Sequence, residues 1–194
     1  ALEEFVSIPA PEETEETIVL EENVNEQIKE TSVTEETISE TEPEIQWPSV
    51  DFEGLQALNP DVVGWIYIEG TNISYPIVQG KDNNYYLYRL LDKTQNPSGS
   101  IFLDADCNRD FSSRNNIIYG HNMKNGTMFY ELMGYKEQEF YEEHKIGLLL
   151  TPEKRFVIEF FSGYVAPDPS DAWEMEFAEG EFVKWADKIA GRSR

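Results

Sequence analysis

Apolar positions along the chain change their spacing from one stretch to the next, and the spacing predicts the elements. Val62-Val63-Gly64-Trp65-Ile66-Tyr67-Ile68 reads as a strand, Glu69-Gly70-Thr71-Asn72 as a turn, and Ile73 to Val78 as its antiparallel partner, with Pro76 favouring an edge position. Gly99 to Asp104 returns to strand, and a further run of β-branched and aromatic residues ends in Ile117-Ile118-Tyr119. Lys145 to Thr151 and Arg155 to Val165 form a long hairpin turning at Pro152-Glu153. Helical spacing takes over elsewhere. Phe52, Leu55 and Leu58 share one face of a short helix capped by Ser49 and stopped by Asn59-Pro60. Asp82 to Tyr88 is a helical turn with an aromatic face, and Thr127 to Tyr135 and Lys136 to His144 are two short helices separated near Gly134. Gly180 to Ala190 is an amphipathic helix with Phe182, Trp185 and Ile189 inward, after a loop over Pro167 to Ser170. The sum is a mainly β domain with peripheral helices, spanning residues 47–194.

Residues 1–46 follow neither period. Thr14-Glu15-Glu16-Thr17-Ile18 recurs as Thr34-Glu35-Glu36-Thr37-Ile38, and isolated aliphatics sit among Glu, Thr, Ser and Pro. Such composition buries too little apolar surface to offset the entropy of ordering, so this stretch is expected to be a disordered acidic stalk. Two short repeats do not make an array, which sets the stalk above a partner-binding tail.

The net charge of −23 excludes a surface that tracks a phosphate backbone, and with it nucleic-acid binding of that kind. Residues 1–50 carry 15 Glu and one basic residue, Lys29, so the body, with 23 of the 38 acids and 14 of the 15 bases, is only moderately acidic. One cysteine, Cys107, excludes an intrachain disulfide, and one Cys with two His argues against structural zinc. No run of about 18 apolar residues is present to span a bilayer. The loop Asp104-Ala105-Asp106-Cys107-Asn108-Arg109-Asp110 imitates the opening of a calcium loop. However, Arg109 stands where glycine makes the turn and Asn115 where glutamate closes the cage, so it reads as a solvated acidic loop. Neither metal nor cofactor is expected.

The candidate chemistry lies in Ile117-Ile118-Tyr119-Gly120-His121-Asn122-Met123-Lys124-Asn125-Gly126-Thr127-Met128-Phe129. A buried strand runs out into Gly-His-Asn, delivering an imidazole to a sheet rim, and imidazole as a class titrates near pH 6.5, where proton transfer is easiest. The other histidine, His144, falls among Glu142, Glu143 and Lys145 at a helix end and reads as a solvated cap. This run resembles the histidine segment of class B sortases, the cysteine transpeptidases that attach proteins to Gram-positive cell walls. Asn59-Pro60-Asp61-Val62-Val63-Gly64-Trp65-Ile66 followed by Tyr75-Pro76-Ile77-Val78-Gln79 resembles the opening of their barrel, and the resemblance covers roughly residues 47–190.

The resemblance implies a sortase-like β-barrel with an N-terminal helix, on the outer face of the membrane behind an N-terminal anchor. It also implies His121 as the catalytic acid, a sorting-signal peptide as substrate, and a cell-wall cross-bridge or pilin amine as acceptor. The family's cysteine and arginine lie on late strands that have no counterpart here. Cys107 precedes His121 and is surrounded by Asp104, Asp106 and Asp110, which disfavour a thiolate. Arg109, Arg114 and Arg155 also come too early to inherit the arginine's role. The expectation is therefore an incomplete barrel lacking its final strands, a chain truncated before its nucleophile and inactive alone. The alternative is a non-catalytic sortase-like module that binds peptide, or a surface adhesion module.

Overall fold

The computed structural model describes residues 2–9, 45–166 and 170–192. Most of the predicted stalk, residues 10–44, lies outside the described residues, as do residues 167–169 of the predicted loop. The first residues of that same stretch are placed against the domain. After a 3₁₀ turn at Leu2–Glu4, strand β1 (Val6–Ser7) pairs antiparallel with β2 (Ser49–Val50), and Leu2, Phe5 and Val6 pack on the hydrophobic core.

The cap of helix α1 (Phe52–Leu58) lies two residues later than predicted. Asp51, not Ser49, caps it, its carboxylate accepting from the Gly54 N–H at 2.9 Å, because Ser49 is taken up in β2. Leu55 is its buried anchor.

The body is one curled sheet of six strands in the order β6-β5-β4-β3-β7-β8. These are β3 (Val62–Tyr67), β4 (Ser74–Val78), β5 (Ile101–Leu103), β6 (Ile118–Tyr119), β7 (Ile146–Leu150) and β8 (Arg155–Glu159). β3 and β4 form the predicted hairpin, and β3 also pairs antiparallel with β7, so every residue of β3 is buried and reads as a continuous apolar run rather than an alternation. In β8 the alternation is clean, with Phe156 and Ile158 turned toward the core. Pro76 departs from its expected edge position, since β4 lies inside the sheet between β3 and β5. The parallel ladder between β4 and β5 begins only at Ile77 with Ile101, so the missing N–H of Pro76 faces no partner strand there.

The other elements hold with small corrections. A 3₁₀ turn occupies Tyr86–Tyr88, and a 3₁₀ helix at Tyr130–Lys136 leads into α2 (Gln138–Glu143). The break between these last two falls at Glu137 rather than Gly134. Gly134 lies inside the first, with the Phe140 ring 2.8 Å from where its Cβ would be. His144 caps α2, but it is half-buried rather than solvated. Its ring stacks on Phe140 at 4.1 Å and its Nδ1 lies 2.8 Å from the Phe140 carbonyl. Helix α3 (Glu181–Ala190) buries Ile189 and holds Phe182 and Trp185 against Phe177.

Two apolar clusters line the two faces of the sheet. One gathers Ile66, Ile77, Leu103, Phe111 and Met128; the other gathers Trp65, Tyr86, Phe102 and Leu148. Among the described residues, no helix is long and apolar enough to cross a membrane.

Candidate active site

His121 is held by a loop that closes on itself just beyond β6. The strand is fixed by its register on β5, with Tyr119 opposite Phe102 and their rings 5.0 Å apart. At Gly120 the backbone passes so close to its neighbours that a Cβ would lie 2.4 Å from Ile101 Cδ1 and 2.5 Å from Phe129 Cδ2. Only glycine fits there. The His121 carbonyl then accepts from the Phe129 N–H at 2.9 Å, Asn122 pairs with Met128, and the Met128 N–H donates to the Tyr75 hydroxyl at 3.1 Å. Between them the chain turns at Gly126, whose φ of 84° lies in the left-handed region that glycine enters without strain.

The imidazole is half-buried, with the Tyr88 ring 5.8 Å away and inclined at 52°. Its Nδ1 is enclosed and has no hydrogen-bond partner among the described residues, whereas Nε2 is not enclosed in this way. That leaves Nε2 as the nitrogen able to exchange a proton with another molecule.

The strand that carries His121 is braced from the acidic loop. The buried Asp104 carboxylate accepts from the Tyr119 hydroxyl at 2.7 Å, from Asn83 Nδ2 at 2.8 Å and from the Asp106 N–H at 2.9 Å. Its backbone N–H donates to the Ile117 carbonyl at 2.8 Å. Burial, and then the bond to Asp104, push the Tyr119 hydroxyl well above the ordinary phenol range, so it stays protonated and donating. Asp110 caps Ser112. The loop expected to be a solvated acidic one is so only in part: Asp104 is buried and its carboxylate meets protein donors, whereas Asp106 and Asp110 are exposed. Sequence reasoning missed the contacts of Asp104 with Tyr119 and Asn83 and of Tyr88 with His121, because these partners lie far along the chain and leave no local pattern.

Cys107 belongs to the core rather than to His121. Its thiol is buried beside Phe111 and Met128 and receives the Ile117 N–H at 3.5 Å. Burial pushes its pKa up, the Ile117 N–H partly opposes this, and Asp104 and Asp106 raise it further. Its carbonyl, like that of Asp104, accepts from Gln79 Nε2 at 2.8 Å. Among the described residues no hydrogen bond joins it to His121. Alkylation by iodoacetamide at pH 8 should therefore run at least about tenfold slower in the native chain than in urea. Equal rates followed by mass spectrometry would contradict this burial. The arginines are also elsewhere: Arg109 donates to the Pro60 carbonyl at 3.1 Å, and Arg155 lies over the Trp47 ring.

Beside the histidine loop lies a cavity of about 480 Å³, walled by Tyr75, Leu91, Ile101 and Met128 and by Leu2 and Phe5 from the N-terminal segment. On another side, Asn115 Nδ2 donates to the carbonyls of Ala172 and Glu174 and so ties the approach to β6 to the segment before α3. That segment is itself held by Asp171, which accepts from Arg192 and Lys188. These two cations hold the Asp171 carboxyl below its usual range. A depressed carboxylate contributes fully above its unfolded value of 3.8 and loses that contribution as pH falls through the folded one. Docking of α3, read by hydrogen exchange, should thus be flat from pH 7 to 5 and weaken below about pH 4. Asp171→Asn should remove that component, and an unchanged acid limb in the variant would assign it elsewhere.

No family model matches the chain. It is 37% identical over 144 residues to sortase B of Listeria monocytogenes, a stretch that covers 74% of this chain and 58% of that protein. Among solved structures, Clostridium perfringens sortase B superposes with a TM-score of 0.69 at 35% identity, over 74% of this chain and 79% of that one. A Staphylococcus aureus sortase B–substrate complex gives 0.71 at 33% identity, over 73% and 66% respectively. The chain therefore spans little more than half the length of the Listeria relative.

Proposed function

The chain belongs to the class B sortase family, and from that premise we propose that it is the histidine-bearing part of a cysteine transpeptidase acting on sorting-signal peptides. The observation that carries the reading is the placement of His121. It sits at the rim of the sheet, on a loop clamped at both ends, with Nδ1 enclosed and Nε2 the nitrogen left to meet substrate. An imidazole so placed acts as a general acid and base.

In the proposed reaction a thiolate attacks the carbonyl carbon of the scissile peptide bond, forming a tetrahedral oxyanion stabilised by an arginine. The C–N bond then breaks, His121 as the imidazolium gives its Nε2 proton to the departing amine and becomes a neutral imidazole, and a thioester remains. An amine of a cell-wall cross-bridge or of a pilin attacks that thioester, gives up a proton to His121 and releases the thiolate. Neither Cys107 nor Arg109, Arg114 or Arg155 supplies the other two groups in this scheme. It assigns them to a strand pair added along the side of β6 away from β5. The likeness to a relative solved with its substrate supports the choice of a peptide. By the same reading the working place is the outer face of a Gram-positive membrane, and the 194 residues alone form no acyl-enzyme.

The test is an acyl-trapping assay with a panel of sorting-signal peptides, read by intact mass. It sets this chain beside a longer one that supplies the relatives' remaining length. Acyl mass on the longer chain alone supports the reading. Acylation at Cys107 overturns the assignment of that thiol to the core, and peptide binding without acylation of either chain favours a non-catalytic peptide-binding module.

A further inference from the structure

The N-terminal segment and the histidine loop share a wall. Val6 and Val50 pair in register although they lie 44 positions apart in sequence, and the Asp51 N–H donates to the Phe5 carbonyl at 2.9 Å. Leu2, Phe5 and Val6 lie on the cluster built around Trp65 and Tyr86, and Phe5 reaches within 3.1 Å of the Cβ position of Gly54. Leu2 and Phe5 then continue into the 480 Å³ cavity, where the facing wall is Tyr75, Thr127 and Met128. Thr127 and Met128 belong to the loop that fixes His121 through the Asn122–Met128 bridge, and Tyr75 of β4 holds that loop by accepting from the Met128 N–H.

We propose that residues 2–7 are a displaceable strap whose apolar side chains wall the cavity beside the histidine loop, so that seating or releasing the strap stiffens or loosens the loop that positions His121. Two features make the strap releasable. Its ladder is two residues long, and strand pairs that short open at far lower free energy than a core strand. It is also strongly acidic beyond its own end, since residues 10–44 carry 13 Glu and one Lys, so a cationic surface draws it away from the body by charge alone. Seating, in contrast, rests on the burial of Leu2, Phe5 and Val6, which salt does not screen as it screens charge. The proposal goes beyond the transpeptidase reading and does not depend on it, since nothing in it requires catalysis.

The experiment is amide hydrogen exchange on the full 194-residue chain and two variants. Phe5→Asp places a charge in the apolar seat and should unseat the strap. Exchange should then rise at least about tenfold both in residues 49–58 and in loop 121–129, while Trp65 and Ile66 in β3 stay protected. The paired substitution V6C with V50C, at positions that face each other in an antiparallel register, locks the strap by a disulfide. It should leave the loop at least as protected as in the parent chain and return to parent behaviour on reduction. Faster exchange in residues 49–58 with loop 121–129 unchanged would overturn the proposal, leaving the strap as terminal packing. A uniform rise that includes β3 would overturn it too, by showing global loss of stability instead of coupling.

Discussion

Replacing His121 by alanine, in a chain that carries the catalytic thiol, should lower the rate of acyl transfer by about 10²–10⁴-fold, the usual worth of a positioned general acid–base. The fold should barely register the change. Among the described residues His121 Nδ1 has no hydrogen-bond partner, and the bonds that shape the loop come from the His121 backbone, which alanine retains. Stability should therefore stay within about 1 kcal/mol of the parent. His121→Gln should lose as much activity as alanine, because an amide can hold a hydrogen bond but cannot carry the proton to the leaving amine. Peptide affinity, read by titration, should change little in either variant. An alanine variant that keeps full transfer rate would remove His121 from the mechanism, whereas equal losses of rate and of folding would reduce it to a structural role.

Gly120→Ala should be the most damaging single-carbon change near the site. The added methyl falls 2.4 Å from Ile101 Cδ1, which can swing away, and 2.5 and 2.8 Å from two atoms of the Phe129 ring, which cannot do so independently. Phe129 is bonded through its N–H to the His121 carbonyl, so relief of the clash shifts the loop that holds the histidine. Overpacking of this kind costs about 1–3 kcal/mol. For a domain of this size that amounts to a drop in melting temperature of roughly 2–12 °C. Gly163→Ala is the comparison, since nothing lies within 4 Å of its Cβ position, and it should melt with the parent. If the two variants melt alike, the close approach at Gly120 is not what shapes the loop.

Much of this arrangement was legible in the sequence where local spacing carries the information. The hairpin of β3 and β4, the turn at Pro152-Glu153 and the inward face of α3 all follow from short-range alternation or helical period, and the structure returns them. The run before His121 was equally plain as a strand that carries the imidazole to the sheet rim, and β6 lies there, while the chemistry of His121 rested on the resemblance of the whole segment to class B sortases. What escaped depends on contacts between distant positions. Pro76 looked like an edge residue because nothing near it announces that β5, more than twenty residues later, will lie alongside in parallel. Asp104 looked like a solvated carboxylate because its partners, Tyr119 and Asn83, lie 15 and 21 positions away. The first nine residues read as stalk because Phe5 and Val6 find their partners only after the acidic stretch has been crossed.

That parallel pair also bears on the order in which the molecule is made. β3 and β4 meet across a tight turn, and β7 joins β8 in the same way, so both hairpins form within microseconds of collapse. β5 reaches β4 only after the long excursion through residues 79–100 has been closed, and non-local parallel pairing is the slow class of contact. β6 hangs on β5 alone among the described strands. The histidine therefore reaches its station last. A nascent chain should collapse around Trp65 and Tyr67 well before it owns a proton-transfer group, and any agent that delays the β4–β5 crossover should yield a compact molecule whose imidazole is still adrift.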